Sequence, residues 1–251
     1  MDLKRRKIDI LGVRVDDISS EKTVDAIIKM AKGGKRGHYV VTVNTEFVML
    51  AHRNREFMQI LNDSDLAVSD GYWVAKSRLI FGGKEHDRVT GVDLIEKLCE
   101  KCSKNAVTIG FLGGFGSVAK TVAKRQREKN PGLKVVLEEP GDPAIGYDSR
   151  LKGQFSNIGR VDILFVAYGM GQQEFWIRRN KKSLNVGVFI GVGGALDYLA
   201  GVKKRAPLGV QQAGFEWLWR LATEPHRMWR MRVLPHFAVL ILTKRLTRKF
   251  F

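Results

Sequence analysis

The sequence predicts an α/β fold, a mostly parallel sheet flanked by helices. Three observations carry that expectation. Short apolar runs rich in β-branched residues, such as Val40–Val43, Asp162–Ala167 and Val186–Ile190, have the length and composition of buried strands. Segments with helical apolar spacing recur between such runs, the alternation that builds βαβ units. The runs also end alike, in Asn44-Thr45, Ser69-Asp70-Gly71, Gly113-Gly114, Tyr168-Gly169 or Val192-Gly193-Gly194. Those ends would share the carboxyl edge of the sheet, where open parallel sheets bind ligands.

In order, Lys7–Val15 alternates as a first strand, with Gly12 at a bend or bulge. Ser19 or Ser20 reads as the N-cap of a helix with the stripe Val24, Ile27, Ile28 and Ala31, ending near Gly33-Gly34. After the Val40–Val43 strand, Glu46–Leu61 reads as one helix with Phe47, Leu50, Ala51, Met58 and Leu61 on its apolar side. Asp63-Ser64-Asp65 is a D-x-D triplet of the kind that holds a divalent metal in many sugar-nucleotide enzymes. Here it precedes a strand, Leu66–Val68, and reads as a polar turn. Gly71–Phe81 and Val92–Lys101 read as helices, the second with Asp93 in its first turn, and Gly82–His86 as a loop between them.

Ala106–Leu112 is a buried strand that runs into Gly113-Gly114. Gly114–Ala119 fits G-x-G-x-x-A and opens a helix through Lys120–Lys129. The next strand, Leu133–Leu137, ends in Glu138-Glu139, about where a dinucleotide fingerprint expects its ribose-binding acid. Glycines let the backbone approach a ligand closely, and a helix N-terminus favours phosphate. The pattern therefore supports a Rossmann-like nucleotide or diphosphate site, without proving a dinucleotide; a tight turn is the other reading. Pro140–Ser156 is a loop with a short helix.

At 251 residues the chain is long enough for an α/β body, residues 1–197, and an appendage, residues 198–251. Its net charge of +17 implies an anionic partner: nucleic acid, a membrane face or a phosphorylated substrate. From Val202 to Phe251 eleven Lys or Arg face only Glu216 and Glu224, so the appendage is the basic part. Cys99 and Cys102 sit in a helical pattern with no second Cys or His pair to complete a zinc site, and read as ordinary reduced thiols. Ile8–Val15 is too short and polar for a secretory core, and no apolar run reaches the roughly 18 residues that span a bilayer. These features point to the cytoplasm.

Two neighbouring strand ends would bring Thr42, Asn44 and Asp70 to one cleft. Asn and Asp also favour helix starts and turns, so capping is the competing reading. Gln173 could hydrogen-bond a sugar or base; Glu174 could do the same or cap the helix that follows.

Several short motifs occur together in this order: T-V-N at Thr42–Asn44, S-D-G at Ser69–Gly71, R-V-T-G at Arg88–Gly91, Q-E-x-W at Gln173–Trp176, G-V-G-G-A-L-D at Gly191–Asp197, R-A-P at Arg205–Pro207 and E-W-L-W-R-L-x-x-E-P-x-R at Glu216–Arg227. Each is weak alone. Together, from Ile8 to about Arg232, they resemble the WecG/TagA/CpsF glycosyltransferases, glycosyltransferase family 26. Gly171 departs from the pattern, which usually has proline before the Q-E pair; that leaves Gln172 or Gln173 as the contact residue, with Gln173 favoured because it directly precedes Glu174.

The resemblance implies an inverting, metal-independent enzyme with no cofactor. It would move a sugar from a UDP-sugar donor to a polyprenyl-diphosphate-linked acceptor sugar. The teichoic-acid type uses UDP-N-acetylmannosamine and N-acetylglucosaminyl-diphospho-undecaprenol. Carried onto this sequence, Asp70 is the general base, Thr42 and Asn44 position a sugar, Arg88 stabilises the departing diphosphate and Gln173 contacts donor or acceptor. Gly113, Gly114 and Gly193 are further candidate substrate-binding positions. Without a metal, leaving-group charge needs such cations and helix N-termini.

The appendage interleaves Phe215, Trp217, Trp219, Trp229 and Leu234 with Arg220, Arg227, Arg230 and Arg232, and ends in the apolar run Phe237–Leu242 followed by Lys244 and Arg245. That mixture suits an anionic membrane surface, and so a peripheral position on the inner face of the cell membrane. In the family such a tail also resembles a lid, with Arg220, Arg227 and Arg230 reaching the site. Packing on the body, or a subunit interface in a homo-oligomer, is the alternative. Nucleic acid is disfavoured because the cations sit among Trp and Leu, not on a separate polar face. A nicotinamide-dependent oxidoreductase would account for Gly114–Ala119 and Glu138 alone, and three strands precede that fingerprint, which normally opens its domain.

Overall fold

A computed structural model of the chain describes residues 5–84, 88–224 and 232–247. Its frame is a six-stranded sheet built from β3 (His38–Val43), β4 (Leu66–Ser69), β5 (Ile109–Gly113), β6 (Val135–Glu139), β7 (Val161–Ala167) and β8 (Val186–Gly191). The order is β4-β3-β8-β7-β5-β6 and every pairing is parallel. The chain lays β3 and β4 on one side and β5 and β6 on the other, then fills the middle with β7 and β8. Strand order thus reverses around β8 and β7, and a crevice opens beyond the carboxyl ends there.

Alternate strand residues face opposite layers. Tyr39, Val41 and Val43 of β3 join one buried cluster with Phe47 and Val48 of α2 (Thr45–Arg53), Phe57 of α3 (Arg55–Asn62) and Trp176 of the helix Gln172–Asn180. Val40 joins the other cluster, with α1 (Ser20–Lys32) and α5 (Gly91–Ser103). Trp176 is wholly buried; its indole N–H donates to Asp148 Oδ1 at 3.1 Å, at the start of the helix Asp148–Ile158, and its ring packs against Phe189 of β8.

Three local expectations are corrected. Lys7–Val15 is not one strand but an antiparallel hairpin, β1 (Lys7–Ile10) and β2 (Val13–Asp16), separate from the main sheet. Leu11 and Gly12, at φ 52° and 92°, make its tight turn. Glu46–Leu61 is two helices, because Asn54 is extended and caps both; its Oδ1 accepts from Phe57 N–H at 3.0 Å. The expected Ala106–Leu112 strand starts later, at Ile109, after Ala106 takes φ 53°. Cys99 and Cys102 are free and buried in α5, and burial raises both thiols.

In the appendage, the C-terminal helix Val233–Thr247 buries Phe237 and Ile241 in the cluster with α2, while Val239, Leu242 and Leu246 are exposed. Its apolar residues therefore occupy both faces, not the single stripe of an amphipathic helix. Lys244 pairs with Asp9 of the hairpin. No described helix is long and apolar enough to cross a membrane.

Gly113, a candidate binding residue, packs closely against the neighbouring strand β7. It has φ 111°, and a Cβ there would lie 2.6 Å from the carbonyl carbon and oxygen of Ala167 in the next strand. Gly113→Ala is expected to cost about 2–3 kcal/mol through strain and forced strand separation. A thermal melt beside wild type measures it; an unchanged midpoint would contradict the close approach.

Candidate active site

Backbone hydrogen bonds assemble the cleft. Asp70 N–H donates to Val43 C=O at 2.9 Å, which sets Asp70 beside Asn44 at the ends of β4 and β3. Val89 N–H donates to Ser69 C=O at 2.8 Å, which brings Arg88 to the same edge. Residues separated in sequence are thus tied together by β-type bonds that extend past the strands.

Two cavities meet there. The larger, about 500 Å³, is walled by the strand-end loops, including Thr42, Gly114, Phe115, Gln173 and Gly193, with Lys203 and Arg205 on its rim. The smaller, about 100 Å³, has aromatic and apolar walls: Tyr72, Trp73, Trp217, Val233 and Leu234, with Arg88. Asn44, Glu46, Asp70 and Glu216 line both.

Capping explains part of the pattern. Asn44 Oδ1 accepts from Phe47 N–H at 3.1 Å and caps α2, which leaves its amide nitrogen outside that contact. The Thr42 hydroxyl is buried and donates to Gly191 C=O at 3.0 Å, tying β3 to β8. Asp70 immediately precedes the helix Tyr72–Ile80, whose N-cap is Gly71.

Arg88 is held as a fork: Nη1 lies 2.6 Å from Glu216 Oε2 and Nη2 3.0 Å from Gln211 Oε1. Both partners belong to the appendage, on the helices Leu208–Gln212 and Glu216–Thr223. Arg205, from the R-A-P motif, grips Asp93 with contacts of 2.6 and 3.0 Å and reaches Thr90, the N-cap of α5. Burial works against the Asp93 charge, but Arg205 and Thr90 outweigh it and hold the carboxyl below its usual range. Lys203 pairs with Asp197 at 3.1 Å and Glu224 at 3.3 Å. Every cation named at this rim is therefore matched with a carboxylate. These pairings span up to 128 residues, and no local signal announces them.

Of the two glutamines, Gln173 faces the cleft and Gln172 is exposed. Gln173 is itself 1% exposed and fully engaged, Oε1 accepting from Gly193 N–H at 2.9 Å and Nε2 donating to Glu174 Oε1 at 2.6 Å. Gly193 thus spends its N–H inside the protein. Gly114 lines the cleft at φ 78°, and a Cβ there would meet Val118 at 2.5 Å. Gly171 has φ 86°, which proline cannot adopt, so this loop departs from a proline-containing version.

Burial pushes the Glu174 carboxyl up to about 7, although hydrogen bonds from Gln173 and Gly171 favour its charged form. Folding therefore disfavours its ionisation: the cost is absent when both states are protonated, grows above the ordinary glutamate value and is complete above about 7. Wild type is expected to lose about 2 kcal/mol more stability than Glu174→Gln between about pH 5 and about pH 8. Urea unfolding of both proteins checks this; parallel pH profiles would contradict it.

The D-x-D triplet and Glu138 are engaged elsewhere in the fold. Asp65 of the D-x-D triplet lies before β4, where its carboxylate receives Tyr39 N–H at 2.9 Å and meets His38 at 2.9 Å. Glu138 pairs with Arg127 at 2.9 Å, on the edge strand β6. Arg220 is on the helix Glu216–Thr223, and Arg227 and Arg230 lie outside the described residues.

The family model described as Glycosyl transferase WecG/TagA/CpsF family matches residues 8–250. Relatives include proteins named N-acetylglucosaminyldiphosphoundecaprenol N-acetyl-beta-D-mannosaminyltransferase from Staphylococcus aureus strains NCTC 8325 / PS 47 and COL. Each is 26% identical over 232 residues, which cover 92% of this chain and 90% of the relative. With strand-end motifs gathered at one cleft and the family model matching nearly its whole length, the chain belongs to the WecG/TagA/CpsF glycosyl transferase family.

Proposed function

We propose that this enzyme transfers a sugar from a UDP-sugar, N-acetylmannosamine first among them, to N-acetylglucosamine linked through diphosphate to a polyprenyl lipid, with inversion and without a metal. The observation that carries this reading is that Asp70 lines both cavities. Inversion requires a base that takes the acceptor hydroxyl proton on the face opposite the leaving group. A carboxylate between a donor cleft and an acceptor cleft is suited to that task.

The larger cavity, with its glycine loops and basic rim, suits the nucleotide diphosphate. The smaller, with Tyr72, Trp73, Trp217 and Leu234, suits the sugar and first apolar units of the acceptor. Arg88 lines the smaller cavity and pairs with Glu216, which borders both, so its two donors stand beside the junction of the cavities, where a fork of that kind suits the diphosphate departing from the donor. These groups would supply the charge compensation that a metal supplies elsewhere. A lipid-linked acceptor implies work at a membrane, on the cytoplasmic face where UDP-sugars are made. Exposed Phe215, Leu218, Val239, Leu242 and Leu246, with Lys244 and Arg245 alongside, support that docking.

Mass spectrometry of the lipid product tests the reading, after the protein is mixed with UDP-N-acetylmannosamine and a short-chain lipid-diphosphate N-acetylglucosamine. A disaccharide lipid formed in the presence of a metal chelator is expected. No product from any of a panel of UDP-sugars would overturn it.

A further inference from the structure

Glu174 is a carboxylate in the core, 0% exposed. Its Oε2 accepts from Gly171 N–H at 2.7 Å and its Oε1 from Gln173 Nε2 at 2.6 Å. Gln173 Oε1 in turn accepts from Gly193 N–H at 2.9 Å. The chain of contacts joins the loop after β7 to the loop after β8, two walls of the larger cavity. Gly191 leaves room for it: a Cβ there would lie 2.8 Å from Gln173 Nε2 and 2.9 Å from Glu174 Oε1.

Glu174 Oε1 accepts from Gln173 Nε2, and that contact fixes which end of the neighbouring amide turns towards the carboxyl group. With Nε2 committed to Glu174, Oε1 must face Gly193 N–H. If the amide turned over, two donors would meet at Gly193 and the loop would have to move. A helix cap alone would need only the Gly171 contact; the second contact, to Gln173, goes beyond capping. Burying this group is costly, and such groups concentrate where a site is being shaped.

We propose that Glu174 is a positioning residue for donor binding: through Gln173 it fixes the Gly191–Gly194 loop at the wall of the nucleotide cleft, without touching substrate. This rests on the donor reading of the larger cavity given above. The expected signature is selective. Glu174→Gln raises the KM for the UDP-sugar about 10-fold and leaves the acceptor KM within about 2-fold, because only the donor wall moves. In a Gln173→Ala background the same substitution has no further effect on donor KM, because the two act in one chain.

Steady-state kinetics of the two single variants and the double variant, with hydrogen exchange of the peptides covering residues 169–175 and 190–196, test this. Non-additive donor KM effects and faster exchange in the 190–196 peptide of Glu174→Gln are expected. Additive effects, equal changes in both KM values, or unchanged exchange in that peptide would overturn the proposal. Should Glu174→Gln not fold, Glu174→Asp carries the same test, since one methylene less is expected to lose one of the two donors. The exchange measurement needs no substrate, so it separates the two readings. If wild type were silent on every UDP-sugar, the donor reading would fail, while exchange would still report whether Glu174 holds the loop.

Discussion

Asp70→Asn is expected to lower kcat by about 10²–10⁴-fold with both KM values little changed, because the amide keeps the shape and loses the base. The location supports this size of effect. Asp70 is fixed by its backbone bond to Val43 and borders both cavities. A residue whose work was only capping would show its loss in stability, with kcat falling in step with folded protein. A thermal midpoint close to wild type, together with collapsed turnover, is the expected pair of results. Kinetics with both substrates saturating, and a melt on the same preparation, check it.

The second large effect is at Arg88. Arg88→Ala is expected to lower kcat by about 10²–10³-fold, the size seen when one preorganised donor to a developing anion is removed. Arg88→Lys is expected to recover little of it. The side chain divides its two terminal nitrogens between Glu216 and Gln211, and a lysine has one point charge in place of that fork. Those two acceptors stand where a diphosphate would have to bind Arg88, so donor entry would exchange appendage contacts for phosphate oxygens. Assays with a donor carrying a better leaving group check the assignment. Activity of Arg88→Ala should rise towards wild type with such a donor, and an undiminished deficit would contradict a leaving-group role.

The strands were legible because burial on both sides demands near-continuous apolar, β-branched runs, as in Val40–Val43 and Val186–Ile190. The site was legible for a related reason: its residues are the places where those runs stop. Strand order was not, because β3 pairs with β8 across about 150 residues, and parallel strands joined by helices carry no local register signal. The Leu11-Gly12 turn was hidden because its first residue is a leucine at positive φ, and the Asn54 break because the apolar spacing continues through it. Asn44 and Thr42 show the limit of motif reading. Both reach the cleft, yet each also performs a structural task that would select the same residue type. The pairings of Glu216, Gln211 and Lys203 were not legible because each is made with a residue distant in sequence or outside any recognised motif.

The most direct test is UDP release from UDP-N-acetylmannosamine, measured with and without the lipid-linked N-acetylglucosamine, for wild type and Asp70→Asn side by side. Acceptor-dependent release by wild type that collapses in Asp70→Asn, with UDP binding by calorimetry unchanged, is the expected result. Acceptor-dependent release of equal size in both proteins would contradict Asp70 as the base between the two cavities.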